Sequence, residues 1–131
     1  MAPGPAFYKP TGYSTVSPYL IVDGAAATIE FLVQVFGAVA LRQILDDRGK
    51  LKHSEVRLDD TVLMIADRGE GWPAMPAHVH IYVEDVDVVY ARALEAGAAS
   101  VQAPVQTDDA DKRGAAKDSG GTTWWMATKV E

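Results

Sequence analysis

Two stretches decide the fold of this chain: residues 61–66 read TVLMIA, and residues 122–127 read TTWWMA. The two stretches align from their first Thr to their last Ala at an offset of 61 residues. A Gly-Ala pair at 37–38 recurs at 97–98, which is an offset of 60 residues. Repetition at a fixed period indicates repeated structural units, so the chain is predicted to contain two copies of one module.

Each half of the chain shows the same order of predicted elements around these stretches. The first half reads as a strand in STVSPYLIV, a helix that ends at Gly37, and the strands AVALRQIL, LKHSEVRL and TVLMIAD. The second half reads as a strand in HVHIYV, a helix that ends at Gly97, and the strands AASVQAPV, AAKD and TTWWMATK. Asp23 and Asp85 are the predicted N-caps, because a short polar side chain there satisfies free backbone N–H groups. Each module is therefore a βαβββ unit.

The apolar residues of each predicted helix fall into one stripe of helical period. Such a stripe covers one face of a sheet and leaves the other face to be buried elsewhere. If the two uncovered sheet faces lie opposite each other, they enclose a cleft. The two stripes consist of Ala25, Ile29, Leu32, Val33 and Phe36, and of Val86, Val89, Tyr90, Ala93 and Leu94.

The predicted fold class is α+β, with two βαβββ modules whose curved mixed sheets pair around a cleft. Residues 1–14 form an extended lead-in, and residues 15–67 form the first module. Residues 68–77 are a linker loop rich in Gly and Pro, and residues 78–131 form the second module. The sequence leaves open the roles of the loops 68–77 and 107–121, and whether the modules pair within one chain or across two.

Adjacent strand residues point to opposite faces of a sheet, so the neighbours Trp124 and Trp125 must lie in two different environments. Trp124 is predicted to face the helix and lie in the core, whereas Trp125 is predicted to face the cleft. The same alternation places several polar and aromatic side chains on the cleft side. These are Ser17, Tyr19, His53, Glu55, Arg57, His78, His80 and Tyr82.

Composition excludes several classes of function. The chain has 131 residues, 48% of them hydrophobic. A chain of this size and composition can form a hydrophobic core without disulfide bonds or a structural metal. It contains no Cys, so thiolate metal sites and a Cys nucleophile are excluded. A net charge of -6 without a basic cluster argues against nucleic acid as a partner. No apolar run approaches the roughly 20 residues of a membrane span, and signal-peptide features are lacking, so the cytoplasm is the expected location.

The paired modules, together with KDSGGTTWW near the end, resemble the vicinal oxygen chelate superfamily, which includes glyoxalase I, bleomycin resistance proteins and extradiol dioxygenases. The segments SPYLIVDGAAATIEFLVQVFGA, HSEVRLDDTVLMIAD and HIYVEDVDVVYARALEAGA look most like the PhnB-like glyoxalase branch. The resemblance runs from about Ser14 to Thr128. It implies a glyoxalase/bleomycin-resistance-like fold completed in a homodimer, with modules shared or swapped between partners.

Members of this superfamily with metal activity carry a ligand in the first and last strand of each module. The resemblance maps these positions onto Ser17, Met64, His78 and Trp125, and both pairs obey the offset of 61 residues. Only the imidazole is a good ligand, because a thioether, an indole and an unassisted hydroxyl do not hold a divalent metal against water. The metal site is therefore expected to be absent, and Trp125 is expected to stack on a planar or cationic ligand.

These observations predict a protein that binds a small organic molecule in its cleft without a metal or other cofactor. In this it resembles the antibiotic-sequestering members of the superfamily more than glyoxalase I. An amphipathic drug or metabolite with an aromatic part fits the predicted lining. The predicted ligand-binding residues are Ser17, Tyr19, His53, Glu55, Met64, His78, His80, Tyr82 and Trp125.

An enzymatic alternative stays open, namely a lyase or isomerase of the glyoxalase type. Without a metal, Glu55 is the candidate base, with a pKa raised toward neutrality by burial, and His78 is the candidate acid. With a metal, an unconventional site built from His78, His80, His53 and Glu55 is the second form of this alternative.

Overall fold

The computed structural model describes residues 8–106 and 110–130, and each half of the chain forms one four-stranded mixed sheet. The first half contains β1 (Tyr19–Val22), α1 (Ala25–Phe36), β2 (Val39–Leu45), β3 (Leu51–Leu58) and β4 (Thr61–Asp67). The second half contains β5 (Ala77–Tyr82), α2 (Val86–Glu95), β6 (Ala99–Gln106), β7 (Asp111–Lys117) and β8 (Thr122–Lys129). The strand orders are β1-β4-β3-β2 and β5-β8-β7-β6, which confirms the α+β class and the βαβββ order. Neither helix in these ranges has the length and apolarity needed to cross a membrane.

The strand register confirms the internal repeat. Tyr19 of β1 pairs with Met64 of β4, and His80 of β5 pairs with Trp125 of β8, both in parallel. Each residue of the second pair follows its counterpart by 61 positions, since 80 − 19 and 125 − 64 are equal. The modules therefore place corresponding side chains at corresponding points of the two sheets, whatever the chemistry of those side chains.

The two helices lie together between the sheets and form a single core with both of them. Phe31 and Phe36 of α1 contact the second module, with ring centroids 6.4 Å and 6.1 Å from that of Trp124. Trp124 is fully buried there, as predicted for the first of the two adjacent tryptophans. Since the helices separate the sheets, the two helix-free faces do not face each other within one chain. A single chain therefore does not enclose the predicted cleft.

Helix α1 is buried on two sides, which a single apolar stripe does not describe. Phe31 and Val35 are buried although the predicted stripe omits them. Val33, which the stripe includes, is 42% exposed. The prediction assumed that α1 contacts only its own sheet, and the contact of Phe31 with Trp124 extends the buried surface around the helix.

The two helices are capped in different ways. Asp85 caps α2 as predicted, because its side chain accepts hydrogen bonds from the second and third helical N–H groups at 3.1 Å and 3.3 Å. The prediction that Asp23 caps α1 is wrong. Gly24 occupies the cap position with a left-handed backbone, and Asp67 of β4 accepts the first helical N–H at 2.7 Å. A carboxylate distant in sequence thus takes the place of the adjacent one.

Strand β7 begins at Asp111, whereas the predicted strand AAKD begins at Ala115. Residues 111–114 were assigned to the loop 107–121, yet they pair with β8. Because Ala115 pairs with Trp125, alternation brings Asp111 and Arg113 to the same side of the sheet as that indole.

The segment before β1 packs across the helix-free side of the first sheet. The hydroxyl of Ser14 accepts a hydrogen bond from the N–H of Val62 at 3.3 Å. Val62 is fully buried although it points away from the helices. This segment overlaps the end of the lead-in predicted for residues 1–14, of which residues 1–7 lie outside the described residues.

Candidate functional site

The predicted binding residues lie on the helix-free sides of the two sheets. The helix-free side of the β1–β4 sheet is called the first face, and that of the β5–β8 sheet is called the second face. The first face holds Tyr19, His53, Glu55 and Met64, with Ser17 just before β1, and the second face holds His78, His80, Tyr82 and Trp125.

Four side chains at the first face form one chain of hydrogen bonds that ends on Glu55. The hydroxyl of Tyr13 donates to one carboxylate oxygen, and Nε2 of His53 contacts the other at 2.8 Å. Nδ1 of His53 lies 3.1 Å from the hydroxyl of Tyr19. Glu55 is 5% exposed, whereas Tyr19 is 51% exposed. The chain therefore connects a buried carboxylate with an exposed hydroxyl.

The surroundings of Glu55 determine its protonation state. Burial raises the pKa of this carboxyl, but hydrogen bonds from Tyr13 and His53 outweigh burial, so the pKa lies below its usual value of 4.5. The hydrogen bond between Tyr13 and Glu55 favours the protonated phenol, and it raises the pKa of Tyr13 above its usual 10.0. Glu55 is thus a carboxylate at neutral pH. The expectation that its pKa approaches neutrality is wrong, because it did not include these two donors.

Met64 and Ser17 complete the predicted part of the first face. Met64 is half-buried and lies between Tyr19 and Glu55 in the strand register. Its polarizable thioether gives the face an apolar centre. Ser17 precedes β1, and its hydroxyl lies 3.2 Å from that of Ser14.

On the second face, Trp125 and His78 form a hydrogen-bonded pair of nearly parallel rings that lie side by side. The indole N–H donates to Nδ1 of His78 at 3.0 Å, and the ring planes lie 25° apart with centroids separated by 6.2 Å. An indole nitrogen only donates, so Nδ1 of His78 is the acceptor and the proton of the neutral ring is on Nε2. Trp125 is half-buried and His78 is exposed. The pair therefore presents an aromatic surface on the helix-free side.

Arg113 links the remaining residues of the second face. Its Nε–H donates to Nε2 of His80 at 3.1 Å, and its Nη2 donates to the carboxylate of Asp111 at 3.0 Å. The hydroxyl of Tyr82 donates to the same carboxylate at 2.8 Å. The rings of His80 and Tyr82 meet edge to face, with centroids 4.9 Å apart. A guanidinium stays protonated, so a permanent cation lies among these aromatic side chains.

The structure brings the predicted residues together within each face but not across the two faces. His53 and Glu55 bond to each other on the first face, while His78 and His80 each accept a hydrogen bond on the second. In residues 8–106 and 110–130, no three His, Asp or Glu side chains are grouped so that they could hold a metal ion. The unconventional metal site is therefore not assembled within one chain.

Sequence reasoning missed three residues of these networks. Tyr13 was assigned to the lead-in, and no pattern in that Pro- and Gly-rich segment indicates that it crosses the sheet. Asp111 and Arg113 were assigned to a turn. Extending the strand AAKD toward its N-terminus, with the same alternation, would have placed both on the second face.

The fold and the two residue-lined faces define a two-module βαβββ domain of the vicinal oxygen chelate class. The sequence model of the Glyoxalase/Bleomycin resistance protein/Dioxygenase superfamily matches residues 14–126, and the chain belongs to this superfamily. An uncharacterized protein of Mycobacterium tuberculosis (strain ATCC 25618 / H37Rv) is 34% identical over 126 residues, with 88% of this chain and 74% of the relative covered.

Solved structures show the same fold. TioX from Micromonospora sp. ML1 superposes with a TM-score of 0.75 at 22% identity, covering 88% of this chain and 98% of TioX. TnmS3, an antibiotic binding protein from Streptomyces sp. CB03234, superposes with a TM-score of 0.67 at 20% identity, covering 88% of this chain and 98% of TnmS3. At these identities the likeness establishes a shared fold.

The residues at the four positions that the resemblance assigns to metal ligands do not suit a metal ion. Nδ1 of His78 already accepts the N–H of Trp125, and the indole itself has no lone pair to offer. The thioether of Met64 is a soft ligand that hard divalent ions do not favour. Ser17, the remaining member, offers a hydroxyl whose contact is the hydroxyl of Ser14 at 3.2 Å.

Proposed function

We propose that this chain is a metal-free, cytoplasmic binding protein that sequesters a small amphipathic molecule with a planar aromatic part. One observation supports this most directly: at two of the positions that the resemblance assigns to metal ligands, the second face presents the hydrogen-bonded, nearly parallel rings of Trp125 and His78. A flat π-surface of this kind favours aromatic and cationic groups. The description of TnmS3 as an antibiotic binding protein supports an antibiotic as one kind of ligand.

The first face supplies a complementary wall for such a ligand. The ring of Tyr19 is 51% exposed, and the half-buried thioether of Met64 lies next to it in the register. The chain of hydrogen bonds to Glu55 adds a polar group at the edge of this apolar area. An apolar surface with a few placed polar groups is typical of small-molecule sites.

We further propose that a homodimer closes the site. The helices separate the two faces of one chain, so neither face can cover the other within that chain. A site that buries most of a drug-sized ligand needs walls on both sides. In a symmetric dimer, the first face of each chain covers the second face of its partner and forms two equivalent sites. Analytical ultracentrifugation is expected to show a dimer, and a monomer at micromolar concentration would contradict this arrangement.

Ligand binding is tested with a panel of amphipathic aromatic compounds that includes antibiotics. Quenching of tryptophan fluorescence identifies a ligand, and calorimetry then measures its affinity for the wild type and for Trp125→Leu. This variant keeps an apolar side chain but removes the flat ring, so affinity is expected to fall roughly tenfold, about 1.4 kcal/mol.

The control for this experiment is Val33→Ala, which removes an exposed apolar group of α1 away from both faces. It is expected to bind like the wild type. The proposal fails if no compound of the panel binds, or if Trp125→Leu binds as well as the wild type does.

The enzymatic alternative requires that Glu55 and His78 both contact the same substrate molecule. Within one chain they lie on different faces, and the hydrogen bonds that lower the pKa of Glu55 make its carboxylate a weaker base. Metal analysis of the purified protein separates the two functions. Stoichiometric nickel, zinc, manganese or iron would contradict the metal-free proposal and support a metal-dependent lyase or isomerase.

A further inference from the structure

The hydrogen bonds of the first face run in one direction, from the surface toward Glu55. Tyr13 and Nε2 of His53 donate to the carboxylate, so Nδ1 of the neutral imidazole is left as an acceptor. The hydroxyl of Tyr19 therefore donates to Nδ1. The lone pairs of the Tyr19 oxygen remain at the exposed end, where they can accept a hydrogen bond from a ligand.

The inner end of this chain holds a buried negative charge without a permanent cation beside it. Among the described residues, only His53 lies within ion-pair distance of Glu55. Arg42 of β2 and Arg57 of β3 act on the network through space, and Tyr13 contributes a neutral hydroxyl. A proton on the imidazole would convert the contact with the carboxylate into an ion pair, which compensates the buried charge.

We infer that Tyr19, His53 and Glu55 form a proton acceptor for an acidic hydroxyl group of the ligand, so that the site binds phenols as phenolates. The phenol gives its proton to the Tyr19 oxygen, while Tyr19 gives its own proton to Nδ1 of His53. The resulting imidazolium lies between Tyr19 and the carboxylate, and the phenolate accepts the hydrogen bond that Tyr19 donates. One proton moves from ligand to protein, and no other reactant takes part.

The hydrogen bonds described for the second face do not form such a path, although its residues occupy the same register. The counterpart of Tyr19 is His80, whose Nε2 already accepts a hydrogen bond from Arg113. The counterpart of Met64 is Trp125, which donates to His78. The second face therefore stacks on the ligand, whereas the first face accepts its proton.

This inference rests on the proposed function, because it names the chemical class of the ligand at the same site. It is tested with two coumarins of nearly equal shape, 7-hydroxycoumarin and its methyl ether 7-methoxycoumarin. Only the first has an acidic hydroxyl, and its absorbance distinguishes the phenol from the phenolate. The wild type is expected to bind 7-hydroxycoumarin about tenfold more tightly than the ether, with the pKa of the bound phenol lowered by about one unit.

Two variants interrupt the proton path while keeping the aromatic wall. Tyr19→Phe removes the outer hydroxyl, and His53→Gln keeps a hydrogen-bonding side chain that does not take up a proton. Both are expected to lose the preference for 7-hydroxycoumarin over the ether, together with the phenolate absorbance. Tyr90→Phe is the control, because it removes a tyrosine hydroxyl that bonds to Ser100, away from both faces.

The possible outcomes separate this inference from the proposed function. Equal affinity of the wild type for both coumarins, or a preference that persists in His53→Gln, overturns the proton acceptor while aromatic binding stands. If neither coumarin binds at millimolar concentration, the proposed function fails for planar aromatic ligands, and the inference fails with it. A phenolate spectrum in the wild type that both variants abolish supports the inference.

Discussion

The two helix-free faces are built on the same backbone register but differ in how their polar groups are connected. On the first face, hydrogen bonds lead from an exposed hydroxyl through His53 to the buried carboxylate of Glu55. On the second face, Arg113 and Trp125 donate to imidazole nitrogens, and Arg113 and Tyr82 also donate to the carboxylate of Asp111. The difference teaches that a repeated module repeats positions, while the residue at the end of each network determines its chemistry.

The faces also differ in how much of them a single chain covers. The segment before β1 packs over part of the first face, where Tyr13 reaches Glu55 and Ser14 reaches the backbone of β4. On the second face, the two histidines and Tyr82 are exposed. The first face is therefore partly covered by its own chain, whereas the second face is more exposed.

The largest expected effect distinguishes the two sides of strand β8. Trp124→Ala is expected to lower the free energy of unfolding by about 3–5 kcal/mol, because it leaves a cavity beside Phe31 and Phe36. Trp125→Ala is expected to cost about 1 kcal/mol or less, because the ring lies on an open face. Urea denaturation followed by circular dichroism measures both.

If Trp124→Ala does not fold, Trp124→Phe replaces it and is expected to give a smaller loss in the same direction. Equal losses for the two tryptophan positions would show that the second face is part of the core. In that case the distinction between the buried side of β8, which holds Trp124, and its more exposed side, which holds Trp125, would be wrong.

The next effect separates the two polar networks. Glu55→Ala is expected to cost about 1–3 kcal/mol of unfolding free energy, because it leaves the donors of Tyr13 and His53 without their acceptor in a partly buried place. His78→Ala is expected to change stability by about 0.5 kcal/mol or less, because His78 is exposed. Chemical denaturation of the two variants side by side tests this. A loss in His78→Ala as large as that in Glu55→Ala would contradict the distinction.

The acid dependence of stability is expected to come in part from the first face. The pKa of Glu55 is lowered in the folded state, so its contribution is present above the usual value of 4.5 and is lost as the pH falls through the lower, folded-state pKa. Unfolding free energies measured between about pH 3 and pH 7 are expected to fall less steeply with acid in Glu55→Gln than in the wild type. If the unfolding free energy of this variant falls with acid as steeply as that of the wild type, Glu55 does not contribute to the acid dependence of stability.

The smallest expected effect concerns the cation of the second face. Arg113→Lys keeps the charge but cannot reproduce the separate contacts of the guanidinium with His80 and Asp111. The expected loss of unfolding free energy is about 0.5 kcal/mol, because both contacts are partly solvated. The NMR resonances of His80 are expected to shift more than those of His53. Arg68→Lys, at an exposed contact with Asp23, is the matched control.

Much of the fold follows from patterns that are short in sequence. Alternation within β8 assigned Trp124 to the core, and the side chain of Asp85 capped the helix that follows it. These predictions succeeded because the deciding contacts lie within one element or between residues with a fixed period. The cap of α1 failed because Asp67, which is 42 residues away, accepts its first N–H.

The candidate site was predictable as a set of positions but not as a set of interactions. The repeat predicted that corresponding positions of the two modules are equivalent, and the pairs Tyr19–Met64 and His80–Trp125 agree with this. The pKa of Glu55 was assigned the wrong direction, because its sign depends on donors and not on burial alone. One of those donors, Tyr13, reaches it across 42 residues of sequence.

The sequence by itself determined the two modules, their register and the residue types at corresponding points of each sheet. These properties depend on the periods of strands and helices, which are local. Only the tertiary structure decided that the helices separate the two faces, that the segment before β1 reaches Glu55, and that His53 contacts a carboxylate whereas His78 and His80 accept hydrogen bonds. Those properties depend on which distant segments lie beside each other, and thus on burial and hydrogen-bond geometry that no local pattern contains.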